Sequence, residues 1–193
     1  MKRPFDGVIF DMDGTLIEQR LDFAAIRAEL GVGSEEGILE ALQRRPDADR
    51  RAATRRLEEY ELAAAEQAAL MPGAREMLGH IVAAGLRTAL LTRSAQAAME
   101  TVLRRHGLAF DLAWSRAAGA IKPEPDGVLA ACRQLQIEPA RTCCVGDFLH
   151  DVHAANAAGA VSVLLDERGD CPFACEADRV IRSLDELGDI LEI

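Results

Sequence analysis

The chain has 193 residues, 49% of them hydrophobic and 28% charged, which is the composition of a folded domain rather than of a disordered or fibrous chain. Acidic residues outnumber basic ones by 32 to 22, and the resulting net charge of −10 disfavours binding to nucleic acid or to anionic membranes. No apolar run approaches the roughly 18 residues of a membrane span and no signal region is evident, so we expect a cytoplasmic protein without a membrane partner.

The cysteines are expected to be reduced thiols. Cys143 and Cys144 fall within a predicted strand, where burial is the simplest interpretation. Cys171 and Cys175 can be interpreted as half of a zinc site, but no second pair of ligands stands at a suitable spacing. Zinc is therefore not expected, and the role of these two residues is left open.

The first predicted element is a short buried strand at residues 8–10 that leads into Asp11, Asp13 and Gly14. Residues two apart at the end of a strand point to the same side, so the two carboxylates should face one small volume. Like charges that close need a cation or a shared proton, and Mg²⁺ is a hard cation that binds carboxylates and phosphate oxygens. Taken alone, the pattern is explained equally well by an ordinary Asp-Gly turn.

Residues 17–70 are almost wholly helical in character. Phe23, Ile26 and Leu30 repeat at helical spacing, a second short apolar face follows at residues 38–42, and a longer Ala-rich helix is predicted from about Asp49 to Leu70.

Helices and strands alternate after this segment, which predicts a parallel, doubly wound α/β sheet. Ser94 and Asp126 are the predicted N-caps of two of the helices, and a capping box begins at Ser183. The predicted elements are, in order, a helix at about residues 73–85, a strand at 86–92, a helix at 94–106, a short strand at 110–114, a helix at 126–135, a strand at 142–145, a helix ending at 158, a strand at 162–165 and a last short helix.

Candidate functional residues follow the predicted strands. Asp11, Thr92 and Asp147 each come after an apolar run, and ligands of such sheets bind beyond the carboxyl ends of the strands. In order along the chain stand four motifs: Asp11-x-Asp13-Gly14-Thr15, the strand-end Thr92, Lys122-Pro123 and Gly146-Asp147-x₃-Asp151. Together they resemble the haloacid dehalogenase superfamily of phosphohydrolases from Val8 to about Gly159.

The resemblance is greatest to the subclass of phosphoglycolate phosphatases and β-phosphoglucomutases. It implies an α/β core of residues 1–16 and 71–193, with a small helical cap at residues 17–70 inserted after the first strand. The second acid of the Asp-x-Asp pair argues against the dehalogenases of the superfamily, which lack it.

The resemblance also implies catalytic roles. Asp11 would be the nucleophile that forms an aspartyl-phosphate, and Asp13 the general acid and then the general base. Thr92 would bind the phosphoryl oxygens, and Lys122 would offset negative charge beside Asp11. Arg93 lies next to the phosphate site and is a candidate substrate contact. Thr92 as a plain strand-end residue and Lys122 as a solvated loop lysine remain the alternatives.

The metal implied is Mg²⁺, with Asp11, Asp13, Asp147 and Asp151 as its site. Asp13 would contribute its backbone carbonyl, and Asp151 would complete or orient the site. Asp147 as a helix N-cap and Asp151 as a first-turn acid favoured by the helix dipole are the structural alternatives.

Some nearby residues are less informative. His150 and His153 are expected to be surface residues, while Arg20 and Arg27 are candidates for a substrate carboxylate or a second phosphate by position alone.

These inferences predict a Mg²⁺-dependent phosphatase acting on a small phosphorylated metabolite, either a phosphoglycolate-like ester or a sugar phosphate. A β-phosphoglucomutase-like mutase, which uses the same two acids and a bisphosphate activator, is the nearest alternative. A non-catalytic protein that binds phosphate ligands is a third interpretation, which the intact set of motif residues disfavours. A monomer or a homodimer is expected.

Overall fold

A parallel sheet forms the centre of the structure, a computed structural model that describes residues 3–119 and 122–193. Its six strands are β1 (Gly7–Phe10), β2 (Arg87–Leu91), β3 (Leu112–Trp114), β4 (Thr142–Gly146), β5 (Val161–Leu165) and β6 (Arg179–Ile181). They lie in the order β3-β2-β1-β4-β5-β6, and every neighbouring pair is parallel. The predicted doubly wound α/β sheet is therefore confirmed.

Helices fill the connections between strands. In the described part of the chain they are α1 (Phe23–Leu30), α2 (Ile38–Gln43), α3 (Asp47–Gln67), α4 (Ala74–Ala83), α5 (Gln96–His106), α6 (Asp126–Leu135), α7 (Leu149–Ala158) and α8 (Leu187–Leu191). Short 3₁₀ turns occur at Arg116–Ala118, Pro139–Arg141, Ala174–Glu176 and Leu184–Glu186. None of the helices in residues 3–119 and 122–193 has the length and apolar character needed to cross a membrane.

Both faces of the sheet are buried, which explains why the central strands are continuous apolar runs. On β1, Val8 and Phe10 point into one core cluster, whereas Ile9 points into the cluster on the opposite face. The first cluster includes residues of α4, α5 and α8, and the second includes residues of α6 and α7.

The strand order reverses at β1, which lies between β2 and β4. Phe10, the last residue of β1, is in register with Leu90 on one side and with Val145 on the other. Asp11 and the residues that follow β2 and β4 therefore emerge at one edge of the sheet. Such a reversal opens a crevice at the carboxyl ends of the strands, where ligands bind in folds of this kind.

Helices α1, α2 and α3, which we call the cap helices, pack around a small hydrophobic core of their own. Its buried residues are Ile26, Leu30, Val32, Ile38, Ala41, Leu42, Ala53 and Leu57. The C-terminal end of α3 packs instead against the sheet, because Ala65 and Ala68 join the core cluster there and the Arg105 guanidinium donates to both of their carbonyls, at 2.8 and 3.0 Å. The boundaries of the cap at residues 17 and 70 stay predictions.

Several predicted helix starts are wrong by one or two residues. The long cap helix spans Asp47–Gln67 rather than 49–70. Ser94 does not cap α5, since Ala95 holds the N-cap position and the Ser94 hydroxyl is bonded elsewhere. Asp126 is the first residue of α6 after Pro125 at the N-cap. Ser183 holds the predicted N-cap position before Leu184–Glu186, but the predicted capping box is wrong because its side chain makes no cap bond.

Candidate active site

Three carboxylates meet at the edge of the sheet where the strand order reverses. Asp11 follows β1, Asp147 follows β4, and Asp151 lies in the first turn of α7. One oxygen from each lies within 4.8 Å of the others, the arrangement of a metal-binding group. The residue at the N-cap position of α7 is Phe148, so the N-cap explanation of Asp147 does not hold.

Lys122 joins two of these carboxylates. Its Nζ donates to Asp11 Oδ1 and to Asp151 Oδ1, both at 2.5 Å. Only 8% of Lys122 is exposed, so the alternative of a solvated loop lysine is wrong. Burial opposes its charge, but the two carboxylates outweigh burial and raise its pKa. The ammonium group is therefore a fixed positive charge beside Asp11.

Negative charge remains in excess in the described part of this site, because one ammonium faces three carboxylates. Burial raises the pKa of Asp11 well above its usual value, against the opposing effect of Lys122. Burial and the neighbouring Asp151 raise the pKa of Asp147 to about 7. A bound divalent cation would relieve this repulsion, and clustered hard oxygen donors fit Mg²⁺.

Asp151 already has a protein partner for each carboxylate oxygen. Oδ1 accepts from Lys122, and Oδ2 accepts from the backbone N–H of Phe148 at 3.2 Å. The second bond ties the carboxylate to the start of α7, so both the helix-terminal interpretation and the orienting role agree with the geometry.

Asp13 is held by Ser94, the serine that the sequence pattern predicts to be a helix cap. The Ser94 hydroxyl donates to Asp13 Oδ2 at 2.6 Å, and the Ser94 N–H donates to Thr92 Oγ1 at 3.0 Å. Burial raises the pKa of Asp13, partly offset by hydrogen bonds from Ser94 and Thr92. Asp13 is thus a partly buried carboxyl group with a higher than usual affinity for a proton.

Arg93 connects the sheet edge to the cap helices. Its guanidinium donates to the Lys122 carbonyl at 2.9 Å and to Glu40 Oε1 on α2 at 2.5 Å. A single cavity is lined by every predicted site residue: Asp11, Asp13, Thr92, Arg93, Lys122, Asp147 and Asp151.

The sequence matches the family model of haloacid dehalogenase-like hydrolases over residues 5–159. The chain belongs to this family. A haloacid dehalogenase-like hydrolase domain-containing protein of Arabidopsis thaliana is 34% identical over 175 residues, covering 84% of this chain and 71% of the relative. The hydrolase fold and the predicted family are therefore confirmed.

Other relatives match nearly the whole chain. A phosphoglycolate phosphatase of Nitrosospira multiformis is 29% identical, covering 98% of this chain and 96% of the relative. The crystal structure of a HAD family hydrolase from Deinococcus radiodurans, with bound phosphate and sodium, is 28% identical. It superposes with a TM-score of 0.72 and covers 98% of this chain and 96% of its own.

Two residues of the first motif shape the position of Asp147 in this hydrolase. Gly14 has φ +83°, and a Cβ there would lie 2.1 Å from Asp147 Oδ2. The fully buried Thr15 donates from its hydroxyl to Asp147 Oδ1 at 3.4 Å. The Asp-Gly turn is therefore part of the acidic site, because the glycine leaves room for the Asp147 carboxylate, which follows the neighbouring strand.

The less informative candidates differ in whether they line the cavity. His153 is exposed and contacts Glu176 at 2.8 Å, as expected of a surface residue, but His150 is partly buried and lines the cavity. Arg20 pairs with Glu18. Arg27 lines the cavity, with its guanidinium donating to the Gly33 carbonyl at 2.6 Å.

Glu61 is a site residue that the sequence did not reveal. It lies on the Ala-rich helix α3, is only 6% exposed and lines the cavity. Its carboxylate accepts from the Arg116 guanidinium at 2.6 Å and from the Ala95 N–H at 3.1 Å. The pair joins the cap helices to the loop after β3, and no short motif marks either partner.

The cysteines do not line the cavity that contains the predicted site residues. All five are free thiols. Cys143 and Cys144 are buried as predicted, and burial raises the pKa of Cys143 to about 12.

Proposed function

We propose that the protein is a Mg²⁺-dependent phosphatase that hydrolyses a small phosphomonoester through an aspartyl-phosphate intermediate. The observation that carries the proposal is the position of Asp11, held at 2.5 Å by the Lys122 ammonium in the cavity that Asp13 and Thr92 also line. Phosphoryl transfer needs a nucleophile, charge neutralisation and a proton donor, and these side chains offer each of them.

Asp11 is the proposed nucleophile. A carboxylate oxygen attacks phosphorus, and the bond between phosphorus and the ester oxygen breaks. Lys122 holds the attacking carboxylate and offsets the charge that gathers around it. Water then attacks the aspartyl-phosphate, which releases phosphate and restores Asp11.

Asp13 is the proposed acid and base. Its raised pKa suits a group that must carry a proton to the departing alkoxide and then remove one from the attacking water. Ser94 fixes the orientation of its carboxyl group through the 2.6 Å hydrogen bond.

The remaining residues bind the phosphoryl group and the metal. Thr92 and Lys122 are the proposed partners of the phosphoryl oxygens, with Arg93 beside them. The Asp11 and Asp147 side chains and the Asp13 backbone carbonyl would hold Mg²⁺, while Asp151 orients the site. When bound, the metal supplies positive charge to the phosphoryl oxygens.

Removal of the metal tests this proposal. We expect phosphate release from a panel of phosphomonoesters in the presence of Mg²⁺. The release should stop when EDTA is added and return when Mg²⁺ is restored. Mg²⁺ should also raise the melting temperature, because it binds the folded state alone. Asp147→Asn should abolish that thermal shift, whereas the exposed Asp170→Asn should retain it. Full activity in EDTA contradicts the proposal, and interconversion of sugar phosphates without phosphate release favours the mutase.

The turn at Gly14 gives a second prediction. Gly14→Ala should lower the free energy of unfolding by about 1–2 kcal/mol, from its positive φ, and lower phosphate release by about 10²-fold, because the new Cβ displaces Asp147. Urea unfolding and initial rates measure the two effects.

Gly85→Ala is the matched control for this substitution. Gly85 has φ +74°, and no described atom lies within 4 Å of the position that a Cβ would take there, so the substitution adds backbone strain without displacing the site. It should lose stability to a similar degree and keep its activity. Equal activity in the two variants would show that Gly14 matters for the turn alone.

A further inference from the structure

The cavity that holds the proposed catalytic residues extends toward the cap helices. Its volume is about 470 Å³, within the range of roughly 300–1,000 Å³ for small-molecule sites. Beyond the catalytic residues, the wall contributed by the cap helices and the segment before them carries five large apolar side chains: Leu21, Phe23, Ile38, Leu39 and Leu57. The alcohol part of a bound phosphomonoester would lie against this wall.

Two aromatic side chains of the cavity lining are exposed. Phe23 on α1 is 45% exposed, and Phe148, in the turn after Asp147, is 51% exposed. Among the exposed large hydrophobic side chains of the described residues, these two are the aromatic ones. The Phe148 ring packs edge-on against Phe173, with centroids 5.6 Å apart, so a neighbouring ring holds it in position. Exposed apolar surface concentrated at a cavity is typical of a ligand contact.

The cations on the described part of the wall already have protein partners. Arg27 donates to backbone carbonyls of the loop after α1, Arg93 pairs with Glu40, and Lys122 is shared between Asp11 and Asp151. A substrate carboxylate would have to displace one of these pairs, which costs desolvation without a free counter-charge.

Two further polar side chains of the wall, Gln19 and Glu61, are engaged, whereas the buried Nδ1 of His150 has no hydrogen-bond partner among the described residues. The Gln19 side-chain oxygen accepts from the Leu21 N–H at 3.0 Å, and the Glu61 carboxylate is held by Arg116 and the Ala95 N–H. A polyhydroxylated sugar would place many hydroxyl groups against apolar side chains, and each hydroxyl that loses water without gaining a partner costs free energy.

We propose that the enzyme prefers phosphomonoesters of an apolar alcohol, alkyl or aryl, over phosphoglycolate and sugar phosphates, with Phe23 and Phe148 as the residues that determine this preference. The inference rests on the proposed phosphatase function and narrows its substrate class. An apolar leaving group gains the burial that the wall offers and needs none of the engaged polar groups.

A homologous series of esters tests this directly. Ethyl, propyl, butyl and pentyl phosphate share the chemistry of a primary alcohol, so differences in kcat/KM report contacts with the wall. We expect kcat/KM for Mg²⁺-dependent phosphate release to rise roughly 3- to 4-fold per methylene, as expected for burial of a CH₂ group. Benzyl phosphate should exceed both glucose 6-phosphate and 2-phosphoglycolate by about tenfold or more.

Variants assign the preference to the two aromatic residues. Phe23→Ala and Phe148→Ala should each flatten the dependence on chain length. Both side chains are exposed, so both variants should fold, which melting temperatures will verify. Val82→Ala removes a large apolar side chain that is 59% exposed and does not line the cavity, and it should keep the wild-type slope.

The outcomes separate the two proposals. A flat series, or greatest activity on 2-phosphoglycolate or glucose 6-phosphate, overturns the apolar preference while leaving the phosphatase intact. An unchanged slope in both aromatic variants overturns the role of Phe23 and Phe148. Absence of phosphate release from every ester overturns the proposed function and this inference with it.

Discussion

Asp11→Asn is expected to lower phosphate release on the order of 10⁴-fold, the largest effect of any single substitution in this site. The amide is nearly the same size as the carboxylate, so the cavity keeps its shape, but a neutral amide is a poor nucleophile for phosphorus. The substitution also removes one of the two carboxylates that hold Lys122, while the pair between Lys122 and Asp151 remains.

The covalent intermediate gives this prediction a second measurement. Acid quenching of the wild-type enzyme during turnover should yield protein that carries one phosphoryl group and loses it to hydroxylamine, as an acyl phosphate does. Asp11→Asn should show no such mass increase, and the exposed Asp49→Asn should behave as wild type. Turnover of Asp11→Asn near the wild-type rate, or a phosphoryl group on another residue, would contradict the nucleophile assignment.

The placement of the site could be predicted from the sequence because it depends on the sheet. Asp11, Thr92 and Asp147 each follow a strand that is buried on both faces, and such strands are visible as apolar runs. Once alternating helices indicate a parallel sheet, the ends of these strands must lie at one edge. The motif spacing then identifies the family.

The contacts that orient these residues could not be predicted in the same way. Ser94 bonds Asp13 across 81 positions of the chain, and nothing local distinguishes such a serine from a helix cap. Glu61 and Arg116 are 55 positions apart on elements without a motif. Strand β6 escapes prediction because Arg179 and Val180 are exposed and only Ile181 is buried, which leaves no periodic pattern in three residues.

The character of the cavity wall is hidden in the sequence for a related reason. The cap sequence is Ala-rich, and its apolar residues serve two different surfaces. Ile26 and Leu30 pack within the cap core and Phe23 lines the cavity, whereas Ile38, Leu39 and Leu57 contact both. Hydrophobic spacing predicts the helices but does not say which apolar side chains face a ligand. Only the arrangement of the helices over the sheet edge determines which apolar side chains reach the cavity.

Asp13→Asn is expected to have the second-largest effect, a loss of about 10²- to 10⁴-fold on alkyl phosphates. An alkoxide is a poor leaving group and needs the proton that Asp13 supplies. The p-nitrophenolate ion is stable without a proton, so formation of the aspartyl-phosphate from p-nitrophenyl phosphate should be much less affected. Hydrolysis of the intermediate still needs a base, and in the variant it should become the slow step.

The expected result is a burst of p-nitrophenol, close to one per active site, followed by slow turnover, and stopped-flow absorbance measures both phases. Ser94→Ala is the matched control, since it removes the donor to Asp13 Oδ2 but keeps the carboxyl group. It should slow both ester classes modestly and show no burst. Equal slowing of the alkyl and p-nitrophenyl esters, without a burst, would contradict the acid and base role of Asp13. Asp13 would then contribute only its charge or its position, and another group lining the cavity would have to be the acid and base.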